Sequence, residues 1–74
     1  MKAVVWSKDS CTYCDQAKKL LDTHNIEIEE KQIGSVYTLK DLLEVVPNAQ
    51  TVPQIFLNEE YIGGYTELKI KLAG

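Results

Sequence analysis

The chain has no arginine, one histidine, one tryptophan and one phenylalanine, and only two cysteines, two prolines and four glycines in 74 residues. With arginine missing, eight lysines face eleven acids, for a net charge of −3 and a pI near 5.0. A phosphate backbone repels such a chain, so nucleic-acid binding is not expected. No apolar run approaches the ~20 residues of a membrane span. The opening stretch Met1–Lys8 holds too short an apolar segment for a signal peptide, so the expected compartment is the cytosol. No repeat and no Gly-, Pro- or Ser-rich linker divides the sequence, and residues 1–74 read as one domain. A domain of this size buries only about 60% of its unfolded surface, which leaves no room for a large internal cavity. Two cysteines are too few for the disulfide scaffold of a small secreted protein. They are also too few for a structural zinc site, which needs about four ligands, and His24 is distant from both. A bridge between Cys11 and Cys14 would close a very small loop and stabilise little, so a chemical role in a reducing cytosol is the stronger reading.

What remains is 45% hydrophobic and patterned. Residues 3–7, Ala-Val-Val-Trp-Ser, form a continuous apolar run suited to a strand covered on both faces. Residues 11–24 follow the helical period, with Cys14, Ala17, Leu20, Leu21 and His24 on one stripe and Asp15, Lys18, Lys19 and Asp22 facing water. Asn25 is a left-handed helix stop. Residues 26–29 alternate as a half-buried strand. Thr38 and Asp41 make a relative of the capping box, ahead of Leu39, Leu42, Leu43 and Val46 at helical spacing, and Pro47-Asn48 ends that helix. Residues 54–57 and 61–62 read as a hairpin around a turn at 58–60. Thr66 is placed to cap a short last helix with Leu68 and Leu72 inward. The order β-α-β-α-β-β-α predicts an α/β fold: one mixed sheet of four strands with three helices on its faces.

Cys11 and Cys14 are three apart at a helix start, on neighbouring positions of one face, within the Cα separation a disulfide accepts. Cys11 meets the unpaired N–H groups and the positive end of the helix dipole. Its pKa is therefore expected below the free thiol value of about 8.5, with Lys8 reinforcing this and Asp15 opposing it modestly. Cys14, one turn in and on the buried stripe, is expected to stay a thiol, so the pair divides into nucleophile and resolving partner.

Two further segments carry weaker signals. Pro53 stands directly before an apolar strand. A cis Val52–Pro53 bond there would expose backbone groups to a peptide-like ligand, and a trans proline at a strand start accounts for the sequence equally well. Gly63-Gly64 ahead of a helix start offers free N–H groups to an anion, although a glycine pair after a hairpin is usually only a turn.

Taken in order, Ser7-Lys8, Cys11-Thr12-Tyr13-Cys14, Thr51-Val52-Pro53-Gln54-Ile55-Phe56 and Gly63-Gly64-Tyr65-Thr66-Glu67-Leu68 resemble glutaredoxin in its dithiol form across nearly the whole chain. The resemblance implies a thioredoxin fold, a cis Val52–Pro53 bond and glutathione-dependent reduction of protein disulfides and glutathione mixed disulfides. It implies Cys11 as nucleophile and Cys14 as the resolving thiol. Glutathione would lie across Thr51-Val52-Pro53 and pair with the Val52 backbone. Its γ-glutamyl end would reach Gly64, Tyr65, Thr66 and Glu67, its glycyl carboxylate would face Lys8, and Tyr13 would flank the sulfur. No bound cofactor or metal is implied, only glutathione as reducing co-substrate. The implied partners are glutathione and disulfide-bearing proteins, with ribonucleotide reductase a family-level example, and the implied unit is a monomer.

The chain departs from the family pattern at several positions. Thr12 replaces the usual proline and lacks its fixed φ. Glu67 stands where aspartate is common. Gln50 occupies a position where a cation is often found, so glutathione's carboxylates fall to Lys8, Lys40 and helix-end N–H groups. Two neighbouring readings are a glutaredoxin-like hydrogen donor reduced by thioredoxin reductase and a glutathione-ligated iron–sulfur binding module that dimerises through Cys11. The Thr66-Glu67 turn favours glutathione over the first, and the second cysteine disfavours the iron–sulfur module. A structural domain with an incidental cysteine pair is the third alternative.

Overall fold

The computed structural model describes residues 1–73; residue 74, the last of the expected domain, lies outside them. Seven elements follow in order: β1 (Lys2–Ser7), α1 (Thr12–Thr23), β2 (Glu27–Gln32), α2 (Leu39–Val45), β3 (Gln54–Leu57), β4 (Glu60–Gly63) and α3 (Tyr65–Ala73). They form one four-stranded sheet in the order β2-β1-β3-β4. β1 runs parallel to β2 and antiparallel to β3, and β3 and β4 make an antiparallel hairpin. This is the expected α/β architecture.

β1 is central, and its unbroken apolar run follows from that position. Ala3 and Val5 point into a core with Ala17 and Leu21 of α1, Ile55 and Leu57 of β3, and Leu68 of α3. Trp6 points the other way and packs with Leu42 and Val46 under α2, flanked by Val4, Tyr37 and Phe56. Alternate side chains of one strand thus anchor two layers.

The ends of α1 are set locally. Asn25 adopts φ +57°, its N–H donates to the Asp22 carbonyl, and the Ile26 N–H donates to the Leu21 carbonyl at 3.0 Å. This is the paired bonding of a Schellman stop, with Ile26 buried in the same cluster as Leu21. His24 is a helix-end residue, the exposed C-cap of α1, and does not join the buried stripe because the chain leaves the helix there. The capping box of α2 is complete, with the Thr38 N–H donating to Asp41 and the Asp41 N–H to Thr38 Oγ1.

Three boundaries differ from expectation: β4 takes in Glu60 and Gly63 on either side of the expected 61–62, and β2 and α3 depart as follows. β2 continues three residues further, to Gln32, because the six-residue β1 offers a ladder from Lys2↔Glu27 to Ser7↔Gln32. The polar run Glu29-Glu30-Lys31-Gln32 pairs through its backbone, whatever its side chains are. Thr66 does not cap α3. The helix begins at Tyr65, with Gly64 in front of it, and Glu67 Oε1 accepts the Gly64 N–H at 2.8 Å. Glycine is acceptable at an N-cap when an acid three residues on satisfies its amide.

Candidate active site

The loop from β1 to α1 places both cysteines. Ser10 takes φ +59°, turning the chain so that Cys11 becomes the N-cap of α1. Cys11 Sγ accepts the Cys14 N–H at 3.1 Å, so the sulfur satisfies one of the helix's free amides as a serine oxygen would. The two sulfurs are joined in a disulfide, with Cα atoms 5.2 Å apart. Cys14 is 1% exposed and Cys11 9%. Both cysteines are thus largely covered, and the nucleophile candidate is the less buried of the two.

Three contacts fix this loop to the sheet. Ser7 is fully buried, and its hydroxyl donates to Glu30 Oε2 at 2.6 Å. Lys18, one turn beyond Cys14, donates to the same oxygen at 2.8 Å. The Gln32 amide donates to Asp9. The hydrogen bonds from Lys18 and Ser7 hold the Glu30 carboxyl below its ordinary pKa. The bond to Glu30, assisted by the charges of Glu30 and Asp15, raises Lys18. Asp15, expected to oppose a negative Cys11, is engaged with Lys18 at 3.6 Å.

Across from Cys11, the segment before β3 supplies the facing wall. The Val52–Pro53 bond is cis, and the Val52 carbonyl oxygen lies 3.8 Å from Cys11 Sγ. An open groove of about 440 Å³ runs past this point, lined by Tyr13, Thr51, Val52, Pro53, Gly64, Tyr65, Thr66, Glu67 and Lys69. Its walls thus come from three separate segments: the start of α1, the segment before β3 and the start of α3. The Tyr13 and Tyr65 rings lie 5.9 Å apart along it. Lys8 lies elsewhere, in an adjoining depression of about 260 Å³ that shares Thr51 and Val52 with the groove and adds Ile33, Leu42 and Gln50. Lys40 lines neither.

Two residues were missed by sequence reasoning. Gln54 is buried, donates to the Thr51 carbonyl at 2.7 Å and accepts from the Tyr61 hydroxyl at 2.6 Å. It braces the Thr51-Val52 wall against β4, and a strand pattern gives no hint of this. Lys69 lines the groove from α3. Its spacing of four from Tyr65 was a readable signal. Among the described residues no cluster of His, Cys, Asp and Glu could hold a metal ion. Among them, too, no helix is long and apolar enough to cross a membrane.

Sheet order, helix placement and a cysteine pair at the start of α1 define a dithiol protein of the thioredoxin fold. The glutaredoxin family model matches residues 3–62, and the chain belongs to the glutaredoxin family. It is similar to mitochondrial glutaredoxin-2 of Bos taurus, 38% identical over 69 residues that cover 86% of this chain and 43% of the relative. The chain thus spans less than half the length of that relative. Among solved structures, glutaredoxin 1 from Francisella tularensis, complexed with cacodylate, superposes with a TM-score of 0.82 at 30% identity, covering 97% of this chain and 92% of the other. The buckwheat glutaredoxin–glutathione complex superposes with a TM-score of 0.82 at 28% identity, covering 96% and 67%.

Proposed function

We propose that this protein is a thiol–disulfide oxidoreductase that takes its electrons from glutathione, acting as a monomeric domain in the reducing cytoplasm. The observation that carries the reading is the placement of Cys11 Sγ: it is the N-cap acceptor of α1 and sits 3.8 Å from the Val52 carbonyl at the edge of the groove. An N–H aimed at the sulfur, at the positive end of a helix, favours the anionic, nucleophilic form.

In the reduced protein, Cys11 thiolate attacks the glutathione sulfur of a mixed disulfide. The new Cys11–glutathione bond forms as the old one breaks, and the substrate sulfur leaves as a thiolate that takes a proton from water. A second glutathione thiolate then attacks the glutathione sulfur on Cys11, giving glutathione disulfide and free Cys11. With a protein disulfide, Cys11 first bonds a substrate sulfur. Cys14 gives up its proton and attacks Cys11, which releases the second substrate thiol and closes the Cys11–Cys14 bond. Two glutathione molecules supply the two electrons and two protons that reopen it. Tyr13, Thr51, Val52, Pro53, Gly64, Tyr65, Thr66 and Glu67 line the tripeptide's path, and Lys8 flanks it beyond Val52.

The test is glutathione-coupled reduction of a mixed disulfide by Cys11→Ser and Cys14→Ser. Loss of turnover in the first and retention in the second is expected. Equal loss in both would replace this reading with a cycle that depends on the internal disulfide, of the kind served by thioredoxin reductase.

A further inference from the structure

Lys69 follows Tyr65 by one helical turn, the spacing at which two helical side chains meet. Its ammonium lies 5.0 Å from the centre of the Tyr65 ring. That ring in turn lies 5.9 Å from the ring of Tyr13, which stands between the two cysteines in sequence. A cation over an aromatic face is attracted by the ring's negative surface. A long exposed side chain is thereby kept against the groove, whose lining it joins. Among the described residues, no carboxylate lies within salt-bridge distance of Lys69. Glu67, two positions earlier, has one oxygen committed to the Gly64 N–H. The groove end formed by α3 therefore carries one acid and one ammonium on the same rim.

We propose that Lys69 pairs with the free α-carboxylate of the γ-linked glutamate, and that this contact separates glutathione from thiols lacking that residue. The proposal rests on the glutathione reading above. The α-amino-acid end of a γ-glutamyl group carries one ammonium and one carboxylate, and the Glu67–Lys69 rim complements it in sign. No arginine is available to grip the carboxylate through two parallel bonds. A lysine acts as a point charge, tolerant of geometry and open to screening by salt.

The test follows release of peptide thiol when the fully reduced protein meets a peptide–glutathione mixed disulfide, with no other thiol present. A second substrate carries cysteinylglycine in place of glutathione and so lacks the γ-glutamyl residue. For the wild-type protein the second-order rate constant should favour the glutathione substrate. Lys69→Gln should lower that constant about three- to fivefold for the glutathione substrate, a size set by an exposed ion pair. It should leave the cysteinylglycine substrate unchanged. Lys69→Arg should restore the preference, and added salt should shrink the wild-type preference towards that of Lys69→Gln. A preference that survives intact in Lys69→Gln overturns the assignment while leaving the glutathione reading standing. An equal fall for both substrates also overturns it, by marking Lys69 as a general charge effect. A wild-type protein that does not distinguish the two substrates overturns the glutathione reading itself.

Discussion

Gly63 closes β4 with φ +111°, and a Cβ placed on it would come within 2.8 Å of Glu67 Cγ and 3.1 Å of Glu67 Cβ. Gly63→Ala therefore meets two obstacles. An alanine has no comfortable state at that φ, which costs about 1–3 kcal/mol. The clash also falls on the stem of Glu67 and not on its flexible tip, so the carboxylate must leave the Gly64 N–H it now caps at 2.8 Å. An exposed charge-assisted bond of this kind contributes about 1 kcal/mol. The sum is about 2–4 kcal/mol, a large share of the stability of so small a domain. At 4–8 °C per kcal/mol, the melting temperature should fall by roughly 8–32 °C. A double-mutant cycle with Glu67→Ala isolates the second part. In Glu67→Ala the 2.8 Å clash with Cγ and the cap are both gone and only the 3.1 Å approach to Cβ remains, so Gly63→Ala should cost about 1 kcal/mol less than in the wild-type background. Thermal unfolding of the four proteins measures this. A fall below about 3 °C for Gly63→Ala alone, or strict additivity in the cycle, would refute the argument that Gly63 is glycine because Glu67 is packed against it.

Two other expectations follow from the side-chain network. Gln54→Leu keeps approximate size and leaves the Thr51 carbonyl and Tyr61 hydroxyl without their shared partner; both can reach water, so the stability loss should be about 1–2 kcal/mol by denaturant titration. The larger effect should be functional, a severalfold weaker dependence on glutathione with the limiting rate retained, and a loss of limiting rate instead would contradict a bracing role. The Glu30 carboxyl is held below its ordinary value of 4.5 by Lys18 and Ser7, so its contribution to stability is present above that value and lost as pH falls through the lower folded one. Glu30→Gln should therefore flatten the acid limb of a stability–pH curve and leave the range from 6 to 8 parallel to wild type. Lys18, raised above 10.5, contributes below that value and loses its contribution as pH rises through the higher folded value. Unfolding midpoints across pH 3–11 check both signs.

The parts of the fold that sequence made legible are those settled within a few residues. The Thr38–Asp41 box, the left-handed Asn25 stop and the amphipathic α1 depend on neighbours three or four positions away, and all form where expected, with His24 alone leaving the buried stripe. The errors arose where a partner distant in sequence decides. β2 reaches Gln32 because β1 offers it a ladder, although Glu29-Glu30-Lys31-Gln32 has the composition of a loop. Thr66 has the right chemistry for a cap, but the hairpin delivers Gly64 first, and Glu67 satisfies its amide. The candidate site divides in the same way. The unequal burial of Cys11 and Cys14 was readable from helix position alone. The facing Val52 wall was not, because 41 residues separate it from Cys11. Only the order of motifs shared with a family brought it into view. Gln54 escaped for a similar reason, since its buried amide has a purpose only when the hairpin brings Tyr61 across.

The topology explains why the site forms where it does. β1 is flanked by β2 on one side and β3 on the other, and its own chain leaves its C-terminal end into α1. At such an end, where neighbouring connections diverge, an α/β sheet leaves a crevice for ligands. Cys11 stands at that crevice with the Cys14 N–H of the first turn of α1 directed at its sulfur. On the β2 side the Ser7–Glu30–Lys18 and Asp9–Gln32 contacts tie β1, α1 and the loop between them to β2. On the β3 side the chain has not yet entered its strand, so the Thr51 carbonyl is held by the Gln54 side chain and the Val52 main chain pairs with no neighbouring strand. The β2 side is tied by side-chain hydrogen bonds, one of them between charged groups, whereas the β3 side leaves the Val52 main chain beside an open groove.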